Sequence, residues 1–120
     1  MAALLGCGLG ALPVAAFQPF TSAPITTVAF ADLPRQGQQA YRLILQGGPF
    51  PHDKDGVVFG NYERQLPLAR RGYYHEYTVD TPGAHTRGAR RIVCGGIRRA
   101  APDACYYTSD HYSSFKQIVK

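Results

Sequence analysis

The chain reads as an α+β protein, with a single α-helix packed on a short-stranded antiparallel β-sheet. Two observations predict this. One stretch, between Pro34 and Gly47, carries apolar residues at helical spacing, and short β-branched or aromatic runs separated by turn residues lie on either side of it. One helix and several short strands joined by turns suit a helix laid on one face of an antiparallel sheet. At 120 residues the chain is sized for one domain and holds no separate regulatory unit.

The elements follow in order. Met1 to Ala16, MAALLGCGLGALPVAA, is almost wholly apolar and small, and no charged residue precedes Asp32. It has the texture of a secretory leader, with Val14-Ala15-Ala16 as a cleavage site near residue 16, although the usual basic start is missing. The alternative is a disordered apolar tail. Either way residues 1–23 stand apart from a folded domain at 24–120. The segment is too short for a membrane span, so contact with a membrane is confined to export, and the expected location is extracellular. A second small-x-small site at Ala29-Phe30-Ala31 is set aside because cutting there would remove the first strand, Ile25 to Phe30.

Leu33-Pro34 opens the helix, proline being tolerated in a first turn. Ala40, Leu43 and Ile44 supply its apolar face over Pro34 to Leu45, Gly37 is its weak point, and Gly47-Gly48 stops it. Pro49, Pro51 and Gly56 mark a long loop before Val57-Val58-Phe59. Tyr73 to Val79 is the next strand, and Thr81-Pro82-Gly83 turns the chain into Ala89 to Cys94. Cys105 to Thr108 and Ser114 to Val119 complete the set.

Charge narrows the partners. Lys and Arg number 13 against 8 Asp and Glu, a formal net charge of +5. Between Arg87 and Arg99 stand five arginines and no acid. Arginine forks match phosphate oxygens, so a polyanion suits this stretch, although a solvated strand face would carry the same charge. Export would remove Cys7 with the leader and leave Cys94 and Cys105. In an oxidising compartment such a pair forms a disulfide contributing about 2–3 kcal/mol. A free buried thiol at Cys94 accounts for it equally well.

Gly72 to Val93, followed by Ser109-Asp110-His111-Tyr112, gathers a glutamate, arginines and a histidine. Those groups can break a phosphodiester with an internal hydroxyl and no metal or other cofactor: a base, an acid, and fixed positive charge for the phosphoryl oxygens. Strand alternation places Tyr74, Glu76 and Thr78 on one face, and Ala89, Arg91 and Val93 on one face of the next strand. Pairing of the two would bring Arg91 beside Glu76, favouring the carboxylate form that a base needs. The plainer account is an ion pair serving only the sheet. His75 faces the other way and reads as structural.

DGVVF at Asp55 to Phe59, Asn-x-Glu at Asn61 to Glu63, YYHEYTV, TPGA-x-TRG-x-RRIV and YYT-x-DHY together resemble the microbial guanyl-specific ribonucleases of bacteria and fungi, most nearly the streptomycete members. The likeness runs in order from about Thr26 to Ile118. It implies the microbial ribonuclease fold and a secreted, metal-free endoribonuclease that cleaves single-stranded RNA after guanosine, through a 2′,3′-cyclic phosphate to a 3′-phosphate. By the same resemblance Glu76 is the general base, His111 the general acid, and Arg87 and Arg91 the phosphate-contacting arginines. Glu63 would accept the guanine N1–H and amino donors, and amides around Gly60, Asn61 and Tyr62 would donate to O6 and N7. Phe59 and Tyr62 would sandwich the base, and Tyr112 would line the site.

The chain also departs from the streptomycete pattern. His85 stands where another arginine is found. Ala29 stands where the first cysteine of an end-to-end disulfide would fall, and its second cysteine has no counterpart here. Other readings are a non-catalytic RNA- or protein-binding relative of the same fold, or a ribonuclease toxin domain. The resemblance further implies a monomer and an acidic inhibitor protein as partner.

Overall fold

Secondary structure follows where the side chains demand it. In the computed structural model, which describes residues 24–120, the elements are β1 (Thr26–Ala29), α1 (Arg35–Gln46), β2 (Val57–Val58), β3 (Tyr74–Thr78), β4 (Arg91–Gly95), β5 (Ala104–Thr108) and β6 (Lys116–Val119). The leader expected over residues 1–23 lies outside the described residues. A short 3-10 turn, Phe30–Asp32, links β1 to the helix. Pro34 caps α1, its carbonyl accepting from the Gly37 and Gln38 amides at 2.8 and 3.0 Å. Gly47 ends it in the left-handed region at φ 83°, where a side chain would be strained.

The six strands form one sheet in the order β1-β6-β5-β4-β3-β2. Every pair from β2 to β6 is antiparallel, as expected for short strands joined by turns. The exception is the edge: β1 pairs with β6 in parallel, Thr26 opposite Lys116 and Ala29 opposite Val119. A parallel pair needs a long crossover, and here the whole intervening domain provides it. The sheet is therefore mixed.

One helix leaves the two faces of the sheet with different cores. On the helix side Leu33, Ala40 and Ile44 pack against Tyr77, Ile92, Cys94 and Cys105. On the other side Leu66 and Phe115, from loops, close over Tyr74, Val93 and Tyr106. Cys94 and Cys105 occupy directly opposed positions of β4 and β5, with Cα atoms 4.0 Å apart, and are joined as a disulfide. Register thus decides between the two readings of this pair that the sequence leaves open. The bridge lies on the helix side, opposite the residues expected to do chemistry.

Candidate active site

The loop-covered face of the sheet carries the site. Glu76 pairs with Val93 across β3 and β4, and Thr78 pairs with Arg91, so Glu76 and Arg91 are diagonal neighbours on one face. Arg91 Nε lies 4.0 Å from Glu76 Oε1. The same oxygen accepts hydrogen bonds from Arg87 Nη2 at 3.0 Å and from the Tyr112 hydroxyl at 2.8 Å. Three groups from separate elements thus converge on one carboxylate oxygen.

The two arginines differ in exposure. Arg91 is buried, with 3% of its side chain exposed; its Nε donates to the Tyr112 hydroxyl at 3.1 Å and its Nη1 to the Arg90 carbonyl at 2.7 Å. Arg87 keeps 28% exposure, and its Nε donates to Thr78 Oγ1 at 2.7 Å, which aims the guanidinium at Glu76. Arg91 is thus a charge beneath Glu76, whereas Arg87 presents an edge to solvent. Burial, and then the hydrogen bond to Glu76, push the Tyr112 phenol above the usual tyrosine range. It stays protonated and acts as a donor to Glu76.

His111 is presented by a loop that fixes its own shape. The Thr108 hydroxyl and the Ser114 hydroxyl and amide all donate to the Asp110 carboxylate, at 2.8, 2.6 and 2.9 Å. The Ser114 hydroxyl, with help from Thr108, holds that carboxyl below its ordinary range against the opposing effect of burial. His111 and Tyr112 both sit at positive φ, 55° and 74°, and the His111 amide donates to the Ala89 carbonyl at 3.0 Å. Left-handed backbone at two non-glycine residues is strained, and these bonds are what maintain it. The His111 ring is exposed and meets Tyr112 edge-on, centroids 4.9 Å apart.

Asn61 closes the loop that carries Glu63. Its side chain donates to the Leu66 carbonyl at 3.0 Å and accepts from the Leu66 amide at 3.1 Å. It therefore shapes the loop from within. Gln65 then ties this loop to the histidine loop, donating to the Tyr112 and Ser113 carbonyls at 3.0 and 2.8 Å. Phe59 packs its ring 5.1 Å from Tyr112 and 6.0 Å from Phe115. Tyr62, 88% exposed, instead lies over Gly60: a Cβ at that glycine would fall 2.6 Å from its ring. The two rings expected to sandwich a base are therefore both present, but they rest against different neighbours.

A depression of about 450 Å³ gathers Glu76, His111, Tyr112 and the Phe59–Glu63 loop. The other histidines lie elsewhere. His75 is buried on the helix side, and burial, followed by the nearby Arg99 charge, lowers its pKa. His52 pairs with Asp80 at 2.7 Å, and His85 is exposed. The sequence assigns no role to Thr78, Gln65 or Asp110, which here aim Arg87, tie two loops together and shape the histidine loop. Of these only Asp110 left a local signal, a carboxylate two residues after Thr108 and four before Ser114, which is a loop-closing spacing.

The chain belongs to the ribonuclease family, whose model matches residues 19–119. It is 53% identical over 91 residues to guanyl-specific ribonuclease Sa3 of Kitasatospora aureofaciens, covering 76% of this chain but only 62% of that protein. It is 51% identical over 92 residues to guanyl-specific ribonuclease Sa of the same organism, covering 77% of this chain and 92% of that one. Among solved structures, ribonuclease Sa2 with guanosine-2′-cyclophosphate superposes with a TM-score of 0.72 at 44% identity, covering 80% of this chain and 97% of that one.

Proposed function

We propose that the chain is a guanyl-specific endoribonuclease that cuts single-stranded RNA on the 3′ side of guanosine without a metal. The observation that carries this reading is the Glu76 carboxylate, fixed through Oε1 by Arg87 and Tyr112 in the depression shared with His111 and the Phe59–Glu63 loop. With Oε1 anchored, Oε2 is left to take the proton from the ribose 2′-hydroxyl. The 2′-oxygen attacks phosphorus, the bond to the 5′-oxygen breaks, and His111 as imidazolium protonates that leaving oxygen. The product is a 2′,3′-cyclic phosphate, a lyase-type outcome.

Hydrolysis reverses the roles. His111 takes a proton from water, the hydroxide opens the ring, and Glu76 returns its proton to the 2′-oxygen, leaving a 3′-phosphate. Arg87, with its exposed edge, donates to the phosphoryl oxygens, while Arg91 contributes positive charge from below. Glu63 accepts the two guanine donors, and adenine would leave that carboxylate unpaired. The Sa2 relative bound to guanosine-2′-cyclophosphate supports both the base preference and the intermediate. On this reading residues 1–23 are an export leader, the enzyme works outside the cell as a monomer, and its net charge of +5 suits an acidic inhibitor protein.

Cleavage of guanylyl- and adenylyl-3′,5′-cytidine with a chelator present tests the reading. The guanylyl compound should be cut at least about a hundredfold faster. No cleavage of either would leave a non-catalytic relative, and equal rates would remove Glu63 from base selection.

A further inference from the structure

Arg70 and Arg71 stand outside the chemistry described above. They occupy a turn closed by the Tyr73 amide donating to the Arg70 carbonyl at 3.1 Å, with Gly72 at φ 88°. The Tyr74 hydroxyl donates to the Pro67 carbonyl at 2.5 Å and so ties the approach of this turn to β3. Both arginines are exposed. Among the described residues neither has an acidic partner within 4.0 Å. Residues 64–75 contain no Asp or Glu. Two adjacent exposed guanidiniums on a fixed turn, with no ion-pair partner among the described residues, present a positive edge suited to phosphate.

This turn forms one wall of a groove of about 470 Å³ whose other wall is Val58 to Tyr62. The catalytic depression uses the same loop but runs instead to Glu76 and His111. One loop therefore separates the two spaces, and exposed Tyr62 borders both. Strand polarity then assigns the second space. A guanosine held by the loop with its 3′-phosphate at Glu76 and His111 sends the 3′ strand past His111. If the 5′ strand leaves on the other side of the loop, it enters the Arg70–Arg71 groove, which shares Val58 to Tyr62 with the catalytic depression.

We infer that this groove is a subsite for the nucleotide preceding the guanosine, with Arg70 and Arg71 binding its backbone phosphate. The inference rests on the guanyl-ribonuclease reading and extends it from one nucleotide to the strand. It favours RNA over an acidic protein surface because the groove is continuous with the loop expected to hold the base.

The test compares kcat/KM for GpC, for ApGpC with its added 5′ nucleotide, and for GpCpA with its added 3′ nucleotide, in wild type and in Arg70→Ala/Arg71→Ala. ApGpC should exceed GpC about five- to tenfold at low salt, chiefly through KM, and its salt dependence should steepen by about 0.7 in log–log slope per phosphate bound. The double variant should cut GpC as wild type does and lose the ApGpC advantage. No ApGpC advantage in wild type, or one kept by the variant, would overturn the subsite. A loss confined to GpCpA would overturn its 5′ assignment. Failure of wild type to cut GpC would instead refute the ribonuclease reading, and this inference with it.

Discussion

Reducing the Cys94–Cys105 disulfide should cost the domain stability and leave catalysis alone. The bridge closes a loop with a sequence separation of 11. The loop-entropy relation for a closure of about that length gives roughly 2.8 kcal/mol at 25 °C. Both cysteines are buried, at 4% and 3% exposure, but they face the helix side of β4 and β5, away from Glu76. With urea m-values of about 1–3 kcal/mol/M for small domains, the unfolding midpoint should fall by about 1–3 M between oxidised and reduced protein. At 25 °C without denaturant, cleavage of guanylyl-3′,5′-cytidine should be unchanged. A midpoint shift under about 0.3 M at constant m would refute the entropic argument. Lost activity in reduced but folded protein would show that the two faces of the sheet are coupled.

Three further outcomes are expected. Tyr112→Phe keeps the ring against Phe59 but strands the buried Arg91 Nε and frees one contact on Glu76; stability should fall by about 1–3 kcal/mol in urea titration and kcat by about tenfold, with KM little changed. His111→Gln should lower kcat by a factor of about 10² to 10⁴ while isothermal titration shows 3′-GMP affinity retained; undiminished turnover would exclude the histidine as acid. The Asp110 carboxyl is lowered on folding by Ser114 and Thr108, so its stabilisation is present above the ordinary carboxylate range near pH 4 and disappears as pH falls through its depressed folded value. The stability gap between wild type and Asp110→Asn should therefore close on acidification; a gap unchanged down to about pH 2 would contradict this.

Much of the fold was legible because its signals are local. Pro34 and Gly47 bracket the helix within a residue of its observed ends, and turn residues separate the strands. Period-two alternation was enough to bring Arg91 to Glu76 and to send His75 to the opposite face. What stayed hidden was non-local. The parallel pairing of β1 with β6 joins segments about ninety residues apart and leaves no mark in either. Gln65 reaches carbonyls 47 and 48 residues further along the chain. The disulfide depended on register, which places Cys94 opposite Cys105, and spacing alone does not fix register. The seat of Tyr62 depended on the absent side chain of Gly60, a contact visible only once the loop has closed.

The parallel edge pair also determines how the domain meets mechanical force. Tension applied through residues 26 and 119 draws β1 backward along its own axis and β6 forward along its own. In a parallel pair those opposed pulls slide one strand past the other, so the ladder from Thr26–Lys116 to Ala29–Val119 bears the load together. An antiparallel hairpin pulled at its open end would instead lose its hydrogen bonds in succession. The two edges of the described domain are thus held in shear, a geometry that resists stretching yet yields bond by bond when β1 is peeled sideways.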